Sequence, residues 1–185
     1  MKNSILLSVC VVLLFSFTGF SQTSAPTTKE FKTKKGKVIT VEEAHPNSQS
    51  LSDITVAFAG NPGSAVPFID VDPINKVLVA DLDGNGYDEI YIITLNVGTG
   101  SYGNVLGVAS IKDKSLSMIT FPEVTESDMK KGGKFQDYVG HDVYEINKNT
   151  LVRTFPLKTK DSKKTRSIIY KLKAGEAAYQ LVIVK

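Results

Sequence analysis

The sequence has no tryptophan, one cysteine and two arginines, and these shortages exclude several classes of function. Cys10 lies in the N-terminal apolar segment, so the rest of the chain has no thiol for catalysis, a disulfide or a cysteine–zinc site. Arg153 and Arg166 are isolated, and the lysines at 32–37 and 158–164 form only short clusters. With a formal net charge of +3, the chain lacks a patch for phosphate groups, which argues against nucleic-acid binding.

Long apolar runs are also missing, apart from one at the N-terminus. A lysine precedes the apolar run Ile5–Phe17, and Gly19 and Ser21 place small residues where a signal peptidase reads them. We therefore predict a signal peptide over 1–21, a mature chain that begins at Gln22, and a periplasmic or secreted protein. The run is shorter than the ~20 residues of a membrane span, and we predict no span in the mature chain.

The mature chain shows β-strand patterns rather than a helical period. Residues 22–35 are rich in Ser, Thr, Pro and Lys, which predicts a disordered leader. Short apolar, β-branched runs separated by turn signals follow over 36–185, and the proline-rich stretch 60–73 resembles an irregular connection. We expect at most two helical turns within 123–130. The prediction is a single all-β domain, a mainly antiparallel sandwich or barrel of about 8–10 short strands with little helix.

Oxygen-bearing residues recur at alternate positions of the loop between the predicted strands 77–80 and 90–95. If Asp81 is counted as position 1, side-chain oxygens occupy positions 1, 3, 5 and 9, and the backbone carbonyl at position 7 would add another. The five residues are Asp81, Asp83, Asn85, Tyr87 and Glu89. Calcium binds six to eight oxygens on a sharply turned backbone, which Gly84 and Gly86 permit. Position 12 is Ile92 rather than glutamate, so the loop is not an EF-hand.

Two interpretations of this acidic loop remain open. Its spacing resembles the calcium loops of integrin-type β-propeller repeats, although a single copy excludes a propeller. Asp, Asn and Gly also favour metal-free hairpin turns, so the same string needs no ion. If calcium binds, we expect a structural role, because no nucleophile or histidine lies beside the predicted ligands.

The next loop, Val97–Gly103, contains three glycines in seven residues together with two hydroxyls and one tyrosine. Tyrosine provides a large contact area at low entropic cost, which suits an anchor for a partner protein. We predict partner binding by Thr99, Gly100, Ser101 and Tyr102. The alternative is a glycine-rich turn in which Tyr102 covers a sheet edge. The glycine spacing matches no phosphate-binding loop.

Together, the two loops resemble a known family. The run D-x-D-G-N-G-x-x-E-I, a strand, and then N-V-G-T-G-S-Y-G are similar to the periplasmic inhibitors of invertebrate-type (I-type) lysozyme, over about 77–110. The resemblance implies an exported β-rich protein whose Ser-Gly-x-Tyr loop enters the active-site cleft of a lysozyme. Thr99–Tyr102 would form that loop, with Thr99 in the place of the family's serine. We expect the 81–89 turn to brace it.

Two other functions compete with lysozyme inhibition. An enzyme is disfavoured because His141 and Asp142 are adjacent, and neighbours on a strand point to opposite faces; no G-x-S-x-G motif occurs either. The second is a calcium-stabilised, non-catalytic envelope module that binds a glycan or a cell-surface protein. We predict no catalytic residue, no required cofactor and a lysozyme as partner; a structural calcium and edge-strand pairing in a homodimer both stay open.

Overall fold

Twelve strands and one short helix make up the part of the chain that the computed structural model describes, residues 25–159, 163–176 and 178–184. The predicted signal peptide lies outside these residues. The strands are β1 (Thr27–Lys32), β2 (Val38–Ala44), β3 (Ser52–Phe58), β4 (Asn61–Val71), β5 (Ile74–Ala80), β6 (Glu89–Leu95), β7 (Gly103–Ile111), β8 (Ser115–Thr120), β9 (Val143–Asn147), β10 (Thr150–Pro156), β11 (Thr165–Ala174) and β12 (Tyr179–Ile183); the helix α1 is Glu126–Met129.

The first sheet, sheet A, contains β1–β4 in sequence order with antiparallel neighbours. Burial alternates along β3, where Ile54, Val56 and Phe58 point inward and their neighbours are partly exposed. This period of two is the pattern of a sheet with one face on a core. The inner face of sheet A packs on sheet B.

Sheet B contains the other eight strands in the order β5-β6-β7-β8-β12-β11-β10-β9. All neighbours are antiparallel except β8 and β12, which pair in parallel where Tyr179 lies opposite Ile119. The sheet curls until its end strands approach each other, and Lys76 Nζ on β5 donates to the carbonyl of Tyr144 on β9 at 2.8 Å. Sheet B is therefore a nearly closed mixed barrel.

Strand β6 is buried on both faces and joins the two cores. Ile90 and Ile92 pack with sheet A, whereas Tyr91 and Ile93 point into the interior of the barrel. All four side chains are at most 2% exposed. The continuous apolar run of this strand follows from that position, because neither of its faces meets water.

The all-β prediction is confirmed, but the described residues form twelve strands rather than about 8–10, because the predicted leader and the predicted irregular connection contain β1 and β4. Residues 27–32 form β1, an edge strand paired in register with β2, and only Phe31 is partly buried there. Its polar composition reflects exposure on both faces rather than disorder. The stretch 61–71 is β4, where edge position lets a strand carry Pro62 and Pro67.

The polar segment after β8 contains the predicted helical turn as α1, with Thr125 as its N-cap. The side chain of Thr125 accepts from the Asp128 amide, and the Asp128 carboxylate accepts from the Thr125 amide, which forms a capping box. No helix among the described residues is long and apolar enough to cross a bilayer.

The double burial of β6 predicts unequal costs for two isoleucine truncations. Ile92→Ala should lower the free energy of unfolding by about 2–5 kcal/mol, because it opens a cavity where the sheets meet. Ile69→Ala on β4, where the side chain is 60% exposed, should change it by about 0.5 kcal/mol or less. Urea denaturation of both variants measures the difference, and equal costs would contradict this placement of β6.

Candidate functional site

The loop predicted to bind a partner connects β6 to β7 at one end of the barrel. The Asn96 amide donates to the Tyr102 carbonyl at 3.0 Å and closes the loop above the last paired residues of the hairpin. A tighter turn forms within it, where the Ser101 amide donates to the Gly98 carbonyl at 3.1 Å. Ser101 has a positive φ of 41°, so the turn holds this residue in the left-handed region.

A second segment, Gly140–His141, supports the tip of this loop. The His141 amide donates to the Gly100 carbonyl at 2.7 Å. Gly140 is required for this contact, because a Cβ there would lie 2.0 Å from the Gly100 oxygen and its φ is +83°. The loop is therefore tied at its centre to the segment that precedes β9.

Tyr102 lies across the loop with its ring half exposed, at 49%. The ring folds over Gly100, where a Cβ would lie 2.2 Å from Tyr102 Cε2. The ring also forms an edge-to-face pair with Tyr138 at a centroid distance of 5.6 Å. Gly100 thus makes room for the tyrosine ring of its own loop, whereas the sequence suggested only that the glycines allow close approach to a partner.

The hydroxyl groups of the loop remain available. Thr99 is exposed and Ser101 is partly exposed. Neither hydroxyl, nor that of Tyr102, forms a hydrogen bond with any other described residue. These three hydroxyls therefore remain free to bond a partner, on a loop whose backbone is already held in place.

A buried ion pair lies directly beneath the loop. Asp142 and Arg153 are joined by two hydrogen bonds, from Nε to Oδ1 at 2.6 Å and from Nη2 to Oδ2 at 3.0 Å. Asp142 Oδ2 also accepts from the amide of Gly103, the first residue after the loop, at 2.7 Å. The ion pair therefore fixes the point where the loop enters β7.

Aromatic rings enclose the guanidinium of Arg153. The rings of Phe135, Tyr138, Tyr144 and Phe155 have their centroids 4.9–5.9 Å from its Cζ. Tyr138 also donates to Asp142, and Tyr144 donates to the Gly103 carbonyl at 3.1 Å. Burial acts to lower the pKa of Arg153, but its bonds to Asp142 raise it above the ordinary value; burial and the bond to Asp142 raise the pKa of Tyr138.

The sequence analysis missed this support and assigned the bracing role to the wrong segment. The 81–89 turn precedes β6 and the Thr99–Tyr102 loop follows it, so the two lie at opposite ends of a seven-residue strand, about 20 Å apart. Residues 138–153 brace the loop instead. One signal was visible, because Arg153 alternates with the apolar residues Leu151 and Phe155 and therefore occupies an inward position of a strand.

A groove of about 630 Å³ opens beside Tyr102. Its lining is largely apolar and includes Phe68 on sheet A, Met118 on β8, and Phe121 and Val124 in the following segment. Tyr138 and Arg153, which belong to the buried ion-pair cluster, also line the groove. A partner that contacts Tyr102 would meet this apolar surface next to it.

The acidic loop brings together three of the five predicted metal ligands. One carboxylate oxygen each from Asp81, Asp83 and Glu89 lies within 4.8 Å of the other two. Asn85 is attached to this group, because its Nδ2 donates to Asp83 Oδ2 at 2.9 Å and its Oδ1 accepts from the Tyr87 amide at 2.7 Å. The ring of Tyr87 lies under the ammonium of Lys35.

Glu89 is the buried member of this group. Its side chain is fully enclosed, and Oε2 accepts from the Leu82 amide at 2.8 Å and from the Tyr91 hydroxyl at 3.2 Å. Burial, with a further contribution from Asp83 and Asp81, raises the pKa of Glu89 to about 8. Asp88 is not part of the group, because its Oδ2 accepts from the Lys34 amide at 2.5 Å and holds the turn after β1.

Comparison with protein-family models, with curated proteins and with solved structures gives no match to this chain.

The ion pair beneath the loop predicts different roles for the only two arginines of the chain. Arg153→Met should lower the free energy of unfolding by about 3–5 kcal/mol, because it leaves the Asp142 carboxylate buried without its partner. Arg166 is partly exposed and donates to three backbone carbonyls of the 133–136 segment, so Arg166→Met should cost about 1 kcal/mol.

Urea unfolding measures both costs, and amide hydrogen exchange at Gly103 reports on the loop itself. The Gly103 amide should exchange faster in Arg153→Met and be unchanged in Arg166→Met when both are measured well below their unfolding midpoints. Equal stability losses with an unchanged Gly103 amide would contradict the bracing role.

Proposed function

We propose that this protein is an exported inhibitor of a lysozyme, with the invertebrate-type enzymes as the first target class. In this proposal the Thr99–Tyr102 loop plugs the active-site cleft of the lysozyme. The observation that carries the proposal is the state of Tyr102, a half-exposed ring on a loop whose backbone is tied to Gly140–His141 and to Asp142. The family resemblance over 77–110 supplies the target class.

The proposed mechanism is occlusion of catalytic carboxylates. A lysozyme cleft holds two carboxyl groups that act on the glycosidic bond of a bound sugar. The hydroxyls of Thr99, Ser101 and Tyr102 are available to donate hydrogen bonds to those carboxylates where the sugar would otherwise lie. Inhibition then requires no chemical step by the inhibitor.

Preorganisation favours tight binding by such a loop. A flexible loop loses conformational freedom when it binds, at a cost of about 0.5–1.5 kcal/mol for each immobilised side chain. The His141–Gly100 bond and the Asp142–Gly103 bond hold the Thr99–Tyr102 backbone before any partner arrives. The apolar groove beside Tyr102 would then receive the rim of the cleft and exclude water around the tyrosine anchor.

The second candidate is a calcium-stabilised, non-catalytic module that binds a glycan or a cell-surface protein. The aromatic lining of the groove favours it, because Tyr102, Phe121 and Tyr138 expose rings that could stack on sugars. Both candidates place the protein in the periplasm or outside the cell, and both leave homodimer formation through an edge strand open.

Catalysis is not part of the proposal. Ser52, His45 and Glu43 lie together, with 3.3 Å between Ser52 Oγ and His45 Nδ1. However, Ser52 is fully buried and donates to Glu43 at 2.8 Å, so its proton is directed to the carboxylate rather than to the imidazole. Glu43 also accepts from the Ile74 amide at 2.8 Å, which connects β2 to the start of β5. We assign this trio a structural role.

The inhibitor proposal is tested by lysis of purified peptidoglycan by an invertebrate-type lysozyme, with and without the protein. Tyr102→Ala should weaken inhibition by about 2 kcal/mol or more, roughly 30-fold, because it removes the central anchor. Val97→Ala is the matched control, since Val97 is 63% exposed in the same loop but outside the proposed plug. It should change inhibition by no more than about twofold.

Equal inhibition by the wild type and Tyr102→Ala would remove Tyr102 from the interface. If the wild type fails to inhibit invertebrate-, goose- and chicken-type lysozymes while it binds a polysaccharide, the second candidate replaces the first.

A further inference from the structure

We infer that Asp81, Asp83 and Glu89 form the core of a binding site for one divalent cation, calcium, at the β5–β6 turn. This site lies at the other end of β6 from the Thr99–Tyr102 loop, and the inference does not rest on lysozyme inhibition. Its proposed role is to stabilise the fold.

The spacing of the three carboxylates fits a common ion. Calcium lies 2.3–2.6 Å from its ligand oxygens, so two oxygens on the same ion are at most about 5 Å apart. One oxygen from each of the three residues lies within 4.8 Å of the other two. Three carboxylates at this separation repel one another unless a cation lies between them or a proton neutralises one of them.

The buried glutamate gives an independent indication of a ligand. Glu89 is 0% exposed, and its Oε2 accepts from the Leu82 amide and the Tyr91 hydroxyl. Within the described parts of the chain, no donor reaches Oε1, which is a buried oxygen without a hydrogen bond. Such an atom costs free energy in an apolar surrounding, and a metal ion is one of the few partners that removes this cost.

The rest of the turn can complete the coordination shell. The Asn85 side-chain oxygen accepts from the Tyr87 backbone amide and retains a second lone pair for an ion. The backbone carbonyl of Tyr87 offers one more ligand oxygen. Asp81 accepts from the Gly84 and Gly86 amides at 2.8 and 2.9 Å, which orients its carboxylate before an ion binds.

The ligand chemistry favours calcium over other ions. All candidate ligand atoms are oxygens, from three carboxylates, one side-chain amide and one backbone carbonyl, and oxygen ligands suit hard cations. Magnesium holds several of its waters and binds through one or two carboxylates, whereas this turn offers three carboxylates and two further oxygens. Two lysines lie beside this turn: the exposed Lys34 ammonium is 3.9 Å from Asp81 Oδ2, and the Lys35 ammonium lies over the Tyr87 ring.

An ion here would join the end of β5 to the start of β6, a strand with buried side chains in both cores. Calcium titrated into the chelator-treated full-length protein should bind at one site per chain, in the micromolar to millimolar range. At about 100 times the dissociation constant, it should raise Tm by roughly 5–10 °C. Magnesium at the same concentration should give a clearly smaller shift.

Two variants locate the site. Asp83→Asn keeps the size of an exposed side chain and removes one charge, so the protein should fold normally and bind calcium at least about tenfold more weakly. Glu89→Gln should abolish the calcium-dependent rise in Tm. Glu145→Gln on β9 is the control, because it removes an exposed carboxylate away from the turn and should leave calcium affinity unchanged.

Terbium luminescence gives a readout that is independent of stability. Terbium(III) binds to oxygen sites of this kind and emits when a nearby aromatic ring is excited, and in a chain without tryptophan the tyrosines are the strongest sensitisers. Tyr91, which contacts Glu89, and Tyr87 are the neighbouring tyrosines. Emission should appear in the wild type, decline when calcium is added, and be lost in Asp83→Asn.

The inference is overturned if calcium produces neither binding heat nor a rise in Tm up to about 10 mM, well above the weakest extracellular sites. It is also overturned if the wild type and Asp83→Asn bind calcium equally, or if magnesium binds as tightly as calcium. Because these measurements contain no lysozyme, a negative result here leaves the inhibitor proposal standing, and a failed inhibition assay leaves the calcium site standing.

Discussion

The burial of β6 on both faces is the constraint on which the rest of the structure depends. Ile90 and Ile92 face sheet A, and Tyr91 faces the barrel interior, so this strand contributes buried side chains to both cores, as its neighbour β7 does with Val108 and Ala109. Each of its ends carries a loop with exposed polar chemistry. A strand held this firmly gives both loops a rigid base, which suits binding sites that must keep their geometry.

The buried ion pair between Arg153 and Asp142 lies where it fixes the end of the Thr99–Tyr102 loop. Arg153 and Asp142 occupy an aromatic surrounding in which neither would be stable alone, and their mutual bonds leave capacity for the Gly103 backbone and the Tyr138 hydroxyl. Such an ion pair contributes little net stability compared with apolar packing, but it enforces one arrangement of the groups it connects. Here that arrangement sets the position of the Thr99–Tyr102 loop.

The two loops satisfy their polar groups in different ways. The Thr99–Tyr102 loop bonds its backbone internally and to His141, and its hydroxyls form no hydrogen bond with other described residues. In the acidic turn, by contrast, backbone amides converge on Asp81 and Asp83, while a buried oxygen of Glu89 has no donor among the described residues. The first arrangement suits a partner surface, and the second suits an ion.

The sequence by itself determined the all-β class, most strands and both loops, because these follow from local patterns such as the apolar run of β6 and the Asp-Gly-Asn-Gly turn. The sequence did not predict the polar strand β1 or the proline-containing strand β4, because an edge strand is recognised by its pairing rather than by its composition. Only the tertiary structure decided that Asp142 and Arg153 meet under Gly103, 39 and 50 residues away. Contacts across such separations depend on strand order, which no local pattern encodes.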